Sequence, residues 1–213
     1  MEENLKQLVL VAVISPIIPL IIGIVKYRKL NLANRYIFFL ATCDFGVSIY
    51  SSYQNRILHT NNMPSLHLLT VLEVLFITLF FTTQAIHKKS KILIYLVGAS
   101  FIVYSILNSI FIQDIETFNS YARGLEAFII ISFSINYFYK RIQVKDLSGF
   151  INSSYFYFGI AFLFYYGSAQ ILYLFQNLIY NKLSGLFMIY YMAHALVCTI
   201  YYSLLGYGLW KNQ

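Results

Sequence analysis

Charged residues are scarce in this sequence: they make up 11% of its 213 residues, against about a quarter in an ordinary soluble domain. Hydrophobic residues make up 59% and aromatic residues 19%. So few charges cannot cover the water-exposed surface of a soluble globular domain, and that class is excluded. The composition predicts an integral membrane protein instead.

Cysteine and proline are also rare, with two and three residues. Cys43 and Cys198 both fall inside apolar runs, which excludes a secreted disulfide framework and makes each thiol an expected small apolar filler. Pro16 and Pro19 lie in the first apolar run, where each removes a backbone hydrogen bond and can kink a helix. Matching helix breaks in two halves of the chain are absent, which argues against an inverted-repeat transporter.

Motifs of known seven-helix classes are missing as well. The third apolar run does not end in Asp-Arg-Tyr and the seventh has no Asn-Pro-x-x-Tyr, which excludes a G-protein-coupled receptor. Residues 183–210 contain no lysine for a retinal Schiff base. His67 and His194 lie in different runs, and no His-Glu-x-x-His is present. The sequence therefore lacks the three-histidine zinc site of ceramidase-type and adiponectin-receptor-type hydrolases. We expect no metal and no cofactor.

Long apolar runs, by contrast, fill most of the chain, and connections of roughly five to fifteen residues separate them. A run of about twenty apolar residues has the length of a membrane-spanning helix. The sequence predicts an all-α membrane protein, a seven-transmembrane-helix bundle forming one domain over residues 1–213. The predicted spans are about 8–25, 36–53, 66–83, 92–112, 121–139, 154–178 and 186–209.

Lysine and arginine placement predicts the orientation of the bundle, because these residues are retained on the cytoplasmic side. With the amino terminus outside, eleven of the fifteen basic residues lie in cytoplasmic segments and four in outer ones. We therefore expect the amino terminus outside and the carboxyl terminus in the cytoplasm. The start MEENLK lacks the basic character of a signal peptide, so the first run is expected to be retained. Membrane insertion explains the net charge of +7, and we expect no nucleic-acid partner.

One acid, Glu73, lies in the middle of the run SLHLLTVLEVLFITLFFTTQ, residues 65–84. An ionised carboxylate in hydrocarbon costs at least a few kcal/mol, so this acid is expected to be paired, protonated or in contact with water. Other polar residues reach a similar depth in the outer halves of neighbouring runs, and the inner halves stay apolar. Together they predict a polar pocket that opens outward. Its candidate residues are Asp44, Ser48, His67, Thr70, Glu73, Asn108, Arg123, Glu126, Tyr166, Gln170, Tyr173, Tyr191 and His194.

Three functions remain open for this pocket, and a purely structural ion-pair network is the alternative to all of them. Three acids face one arginine inside the spans, which favours binding or sensing of a small polar or cationic ligand or a lipid head group. The first alternative is an intramembrane hydrolase or transferase at the outer leaflet, with Glu73 or His194 as the acid-base group. A proton-coupled transporter of small solutes comes third. The expected partners are membrane lipids, the ligand itself and a membrane or cytoplasmic signalling protein, since the cytoplasmic segments are short.

The sequence around Asn61, Asn62, Leu66, His67, Leu72, Glu73 and Val74 resembles that of small bacterial seven-helix membrane proteins of unknown role. The resemblance covers this motif and the seven-span layout. It implies a multi-pass protein of the cell inner (plasma) membrane and carries no assigned activity.

Overall fold

The computed structural model describes residues 2–143, 147–182 and 187–211. Helices contain most of these residues and no strand occurs among them, which confirms an all-α fold for this part of the chain. A 3-10 turn at Tyr27–Lys29 and a π-helical turn at Gln54–Leu58 interrupt the α-helical pattern. The α-helices are α1 Glu2–Ile14, α2 Ile17–Lys26, α3 Leu32–Tyr53, α4 Met63–Gln84, α5 Lys88–Phe111, α6 Ser120–Ile142, α7 Leu147–Ile151, α8 Ser154–Lys182 and α9 Phe187–Trp210.

Four helical segments of the described residues are long and apolar enough to cross a membrane. They have mean hydropathies between 1.2 and 2.2 and coincide with the first, third, fourth and seventh predicted spans. The segments are Leu10–Lys29, Met63–Gln84, Lys88–Phe111 and Met192–Trp210. These four helices are compatible with a membrane protein. The other predicted spans fall in α3, α6 and α8.

The first predicted span is broken in the way its prolines suggest. α1 ends at Ile14 and α2 begins at Ile17, with Pro16 between them. Proline cannot donate the backbone hydrogen bond that would continue α1, and its ring crowds the preceding turn. The Ser15 hydroxyl donates to the Ala12 carbonyl at 2.7 Å, which satisfies one of the carbonyls at the end of α1.

Most of the long helices form a ring in which each packs against its neighbours. α3 packs on α4, α4 on α6, α6 on α8, and α8 on α9, while α1 and α2 close the ring between α9 and α3. α5 lies outside the ring, against α4 and α6. Its Gly98 meets α4 so closely that an added Cβ would lie 2.5 Å from Thr78 Oγ1. A small residue at this point lets the two helix backbones approach.

Aromatic side chains fill one end of the ring. Phe80 packs edge-on against Phe158 and Phe162, with ring centroids 5.7 and 5.8 Å apart. Phe81 lies 5.7 Å from Phe162 and 6.0 Å from Tyr137. This cluster contains no charge, and it closes the interior on the side where α4 ends and α8 begins.

Candidate functional site

Arg123 joins α4 to α6 through two buried carboxylates. Its Nη1 donates to Glu73 Oε2 and also to Glu126 Oε2, the latter at 3.0 Å. Arg123 is 4% exposed, Glu73 3% and Glu126 0%. Arg123 and Glu126 lie three residues apart on α6, the spacing at which two side chains on one helix face meet. Glu73 is therefore paired within the bundle, as an acid at this depth requires.

Two tyrosines and a further acid extend this arrangement, and we call Asp44, Glu73, Arg123 and Glu126 the charge cluster. The Tyr166 hydroxyl donates to Glu73 Oε2 at 3.3 Å, and the Tyr202 hydroxyl donates to Asp44 Oδ2 at 3.1 Å. Asp44 Oδ1 and Glu126 Oε1 have no hydrogen-bond partner among the described residues. Arg123 is the one buried lysine or arginine among the residues whose side chains the structure describes. Two of the three carboxyl groups thus share one guanidinium, and the third, that of Asp44, is held by Tyr202.

A cavity of about 320 Å³ lies inside the ring next to the charge cluster. Residues of α1, α3, α4, α6, α8 and α9 line it, and Glu73 and Arg123 form part of its wall. It reaches the surface at Asn55 and Arg56, which are exposed and which we call its mouth. The other polar and reactive lining residues are Ser48, Ser51, Ser52, Asn62, Tyr165, His194, Cys198 and Tyr202.

One stripe of α3 and the turn after it supplies much of the polar wall. Ser48, Ser51, Ser52, Asn55 and Arg56 all line the cavity. Their spacing of three, four, seven and eight residues from Ser48 places them on one helix face. The wall is apolar where Ala12 and Val13 of α1 approach, so the cavity has polar and apolar parts.

The backbone at the mouth departs from regular helix. The π-helical turn Gln54–Leu58 ends at His59, which has a left-handed φ of 52°. Such turns and such φ values are uncommon and are often found at functional sites. The Ser65 hydroxyl donates to Gln54 Oε1 at 2.6 Å and Asn62 Nδ2 donates to Ser51 Oγ at 2.7 Å. These bonds fix the turn against the start of α4.

His194 and Cys198 lie side by side on α9, one helix turn apart. His194 Nε2 is 3.5 Å from Cys198 Sγ, and the Tyr165 ring lies 6.2 Å from the imidazole. All three line the cavity. An imidazole next to a thiol offers a titratable donor and acceptor and a soft nucleophile at one place in the wall. Cys198, expected as apolar filler, is thus accessible from the cavity.

Three of the predicted site residues hold helices together instead of lining the cavity. His67 Nδ1 is 2.7 Å from Ser109 Oγ and its Nε2 is 2.9 Å from the Thr117 carbonyl oxygen. Thr70 Oγ1 accepts from Asn119 Nδ2 at 2.7 Å, and Asn108 Nδ2 donates to Gln113 Oε1 at 3.2 Å. These bonds tie α4 and α5 to each other and to the connection before α6.

The remaining predicted residues divide by their distance from the cavity. Ser48, Glu73, Arg123 and His194 line it, whereas Asp44, Glu126 and Tyr166 lie behind its wall as partners of lining residues. Gln170 is half-buried on α8 and is not a lining residue. The side chains of Tyr173 and Tyr191 lie outside the described residues.

Several lining residues, among them Ser51, Asn55, Cys198 and Tyr202, are not in the predicted pocket set. Ser51 and Asn55 continue the stripe from Asp44 and Ser48, so helical spacing is a signal that points to them. Cys198 shares a helix face with His194, a signal of the same kind. Tyr202 has no signal in the sequence, because its contact with Asp44 depends on how α9 packs against α3.

Fold and site together define the class: an all-helical protein with apolar helices compatible with a membrane, and a cavity beside a buried charge cluster. No metal-binding group of three or more His, Cys, Asp or Glu side chains is found in the described part of the chain. No family model, no curated protein and no solved structure matches the sequence. Evidence for function therefore comes from the cavity and its lining residues.

Proposed function

We propose that this chain is a seven-span protein of the cell inner membrane, and that it binds or senses a small polar or cationic ligand or a lipid head group in the cavity. The observation that carries the proposal is the cavity itself, with Glu73, Arg123 and His194 in one wall. Its volume of about 320 Å³ lies at the lower end of the range for small-ligand sites, about 300 to 1,000 Å³.

The lengths of the polar helices support seven spans. α3 has 22 residues, α6 has 23 and α8 has 29. At 1.5 Å per residue each is longer than the roughly 30 Å hydrocarbon core of a bilayer. α3 and α6 carry the buried acids Asp44 and Glu126, and these acids turn inward to the charge cluster. Such helices can cross a membrane because their charges meet one another and avoid lipid.

The charge balance favours a ligand with a positive group. Three buried carboxyl groups stand against one buried guanidinium, which contacts two of them, and two carboxyl oxygens have no hydrogen-bond donor among the described residues. An ammonium group in the cavity would lie near Glu73 and would add positive charge beside the cluster. Tyr202 links the cavity wall to Asp44, so charge entering the cavity also affects the deeper acid.

The mouth supports access from outside the cell. Asn55 and Arg56 lie between α3 and α4, in a connection that the distribution of lysine and arginine places on the outer side. The aromatic cluster of Phe80, Phe81 and Phe162 closes the opposite end. A cavity open at one end suits binding and sensing better than passage through the membrane, since a channel needs a polar path along its whole length. A sensor of this shape would require a separate signalling partner.

Ligand-induced thermal stabilisation tests the proposal. The purified protein is heated with and without ethanolamine, choline and glycerol 3-phosphate as probes. An amine probe is expected to raise the midpoint of unfolding, and Glu73→Gln is expected to remove that rise because it removes the negative charge in the cavity wall. Glu116→Gln makes the same chemical change at an exposed site, and this control variant is expected to keep the rise in the unfolding midpoint. A rise that persists in Glu73→Gln would show that the cavity is not the binding site.

An intramembrane hydrolase or transferase is the second candidate, because Glu73 and His194 line one cavity with Cys198 next to the imidazole. Such an enzyme would turn over a lipid of the outer leaflet, and His194→Ala would lose turnover while Glu116→Gln would not. Binding of an amine probe without turnover of a phospholipid mixture favours the binding function.

A further inference from the structure

A second polar site lies at the opposite end of the bundle from the mouth. A depression of about 20 Å³ opens between α4, α5 and α6, where α4 and α6 end and α5 begins. Its polar lining residues are Gln84, Asn136, Tyr137, Lys140 and Arg141, and phenylalanine and isoleucine side chains complete it. None of these residues lines the cavity.

Two half-buried cations meet at this depression without an acidic partner among the described residues. Lys140 Nζ donates to Ser90 Oγ at 3.1 Å, and Arg141 Nη2 donates to Gln84 Oε1 at 3.3 Å. The Arg141 guanidinium also lies over the Tyr137 ring, 5.5 Å from its centroid. Both hydrogen-bond acceptors are neutral, so these bonds position the two positive charges without neutralising them. A positive charge held in this way attracts an anion.

The start of α5 adds to the positive potential. His87 is its N-cap residue and makes no side-chain cap bond, which leaves the first backbone N–H groups without a side-chain acceptor. Lys88, Lys89 and Lys91 lie in the first turn and are exposed. Cations at a helix N-terminus oppose the helix dipole, so this arrangement is unfavourable unless an anion binds there. Ser90, the partner of Lys140, belongs to the same turn and brings α6 to this site.

Exposed apolar side chains next to these charges point to the source of the anion. Ile86 is 59% exposed, Ile92 49% and Leu93 62%, and all three lie within a few residues of the lysines. Exposed isoleucine and leucine beside exposed lysine is the pattern of a helix at the boundary between hydrocarbon and water. A lipid whose chains cover the apolar residues would place its phosphate beside Lys140 and Arg141.

We propose that the ends of α4 and α6 and the start of α5 form a binding site for the phosphate of an anionic phospholipid in the cytoplasmic leaflet. One phosphate oxygen enters the depression, Arg141 and Lys140 donate to the phosphate, and the lysines of the first turn of α5 complete its shell. Arginine and lysine pockets between helices on the cytoplasmic side bind anionic head groups by this chemistry. The inference needs the helices to cross a membrane but does not depend on a ligand in the cavity.

Thermal unfolding of the full chain in nanodiscs tests the site. The unfolding midpoint is measured in phosphatidylcholine alone and in phosphatidylcholine containing phosphatidylglycerol, and the difference between the two is the readout. The anionic lipid is expected to raise the midpoint by about 2 to 4 °C. The double variant Lys140→Gln with Arg141→Gln is expected to lose the difference. Measuring the difference within each variant separates lipid binding from any general loss of stability.

A matched control keeps the test specific. Arg28 and Lys29 are exposed in the 3-10 turn after α2, and Arg28→Gln with Lys29→Gln removes the same charge from the same side of the bundle. This control variant is expected to keep the full difference in unfolding midpoint between the two lipid compositions. An equal loss in both double variants would show a general surface effect and overturn the site, as would a full difference in the Lys140 and Arg141 variant. If inorganic phosphate in phosphatidylcholine discs reproduces the rise, the ligand is a free anion and the lipid proposal fails.

Discussion

Arg123 Nη1 contacts Glu73 of α4 and Glu126 of α6 at the same time. One nitrogen atom is thus shared by two acids, which lie 50 and 3 residues from Arg123 in the sequence. Arg123 supplies the positive charge that offsets the cost of a carboxylate in the middle of an apolar run, and the Tyr166 hydroxyl adds a hydrogen bond to Glu73. Because Glu73 and Arg123 also line the cavity, the contact that stabilises the bundle is part of the site that we propose to bind ligand.

Replacing Arg123 by glutamine is expected to destabilise the protein strongly. The change leaves Glu73 and Glu126 buried without a counter-charge, which costs about 3 to 5 kcal/mol for a broken buried pair. The unfolding midpoint in detergent is expected to fall by about 10 °C. Adding Glu73→Gln to this variant is expected to recover part of the loss, since it removes one of the two unpaired acids. Equal midpoints for the wild type and Arg123→Gln would contradict a stabilising role.

Cys198 is expected to react with a membrane-impermeant thiol reagent added to the outer side. It lines the cavity whose mouth contains Asn55 and Arg56, whereas Cys43 is not a lining residue. With Cys43→Ala, labelling reports on Cys198 alone, and Cys198→Ala reports on Cys43. Intact cells expressing each variant are treated, and the modified protein is quantified by mass spectrometry. Faster reaction at Cys43 than at Cys198 would contradict an outward opening beside His194.

Gly98→Ala is expected to destabilise the contact between α5 and α4. The new Cβ would lie 2.5 Å from Thr78 Oγ1 and 2.6 Å from its methyl carbon, so the helices must separate, at a cost of about 1 to 3 kcal/mol. Thr78→Ala in the same chain is expected to restore part of the stability, because it removes both atoms and leaves only the Cβ of residue 78, at 3.0 Å. Gly46→Ala is the matched control, since nothing lies within 4 Å of the position where its Cβ would stand. It is expected to be neutral or to stabilise α3 by up to about 1 kcal/mol. Unfolding midpoints of the four proteins decide the outcome.

Residue type and spacing were enough to predict the helices and some of the candidate site. Apolar runs long enough to cross a membrane follow from local sequence, and the described residues of the predicted spans are mostly helical, with the first span broken between Ile14 and Ile17. The ion pair of Arg123 with Glu126 follows from their spacing on one helix face. The break at Pro16 follows from the missing backbone donor. Each of these features involves residues close together in the chain, which is why the sequence alone indicates them.

The rotation and packing of each helix could not be predicted in this way. His67 and Glu73 lie six residues apart on α4, at depths that both suit a shared pocket. In the structure Glu73 faces the cavity, while His67 turns to Ser109 and Thr117. Depth along a helix follows from counting residues, but the direction of a side chain depends on which neighbours the helix packs against.

The sequence by itself determined that this protein is helical and apolar, that its acids are costly where they lie, and that one stripe of α3 is polar. Only the tertiary structure decided that Arg123 lies between two acids, that Tyr202 reaches Asp44, and that a cavity forms beside them. The physical reason is that a buried charge fixes the need for a partner, whereas the choice of partner depends on contacts between helices far apart in the chain.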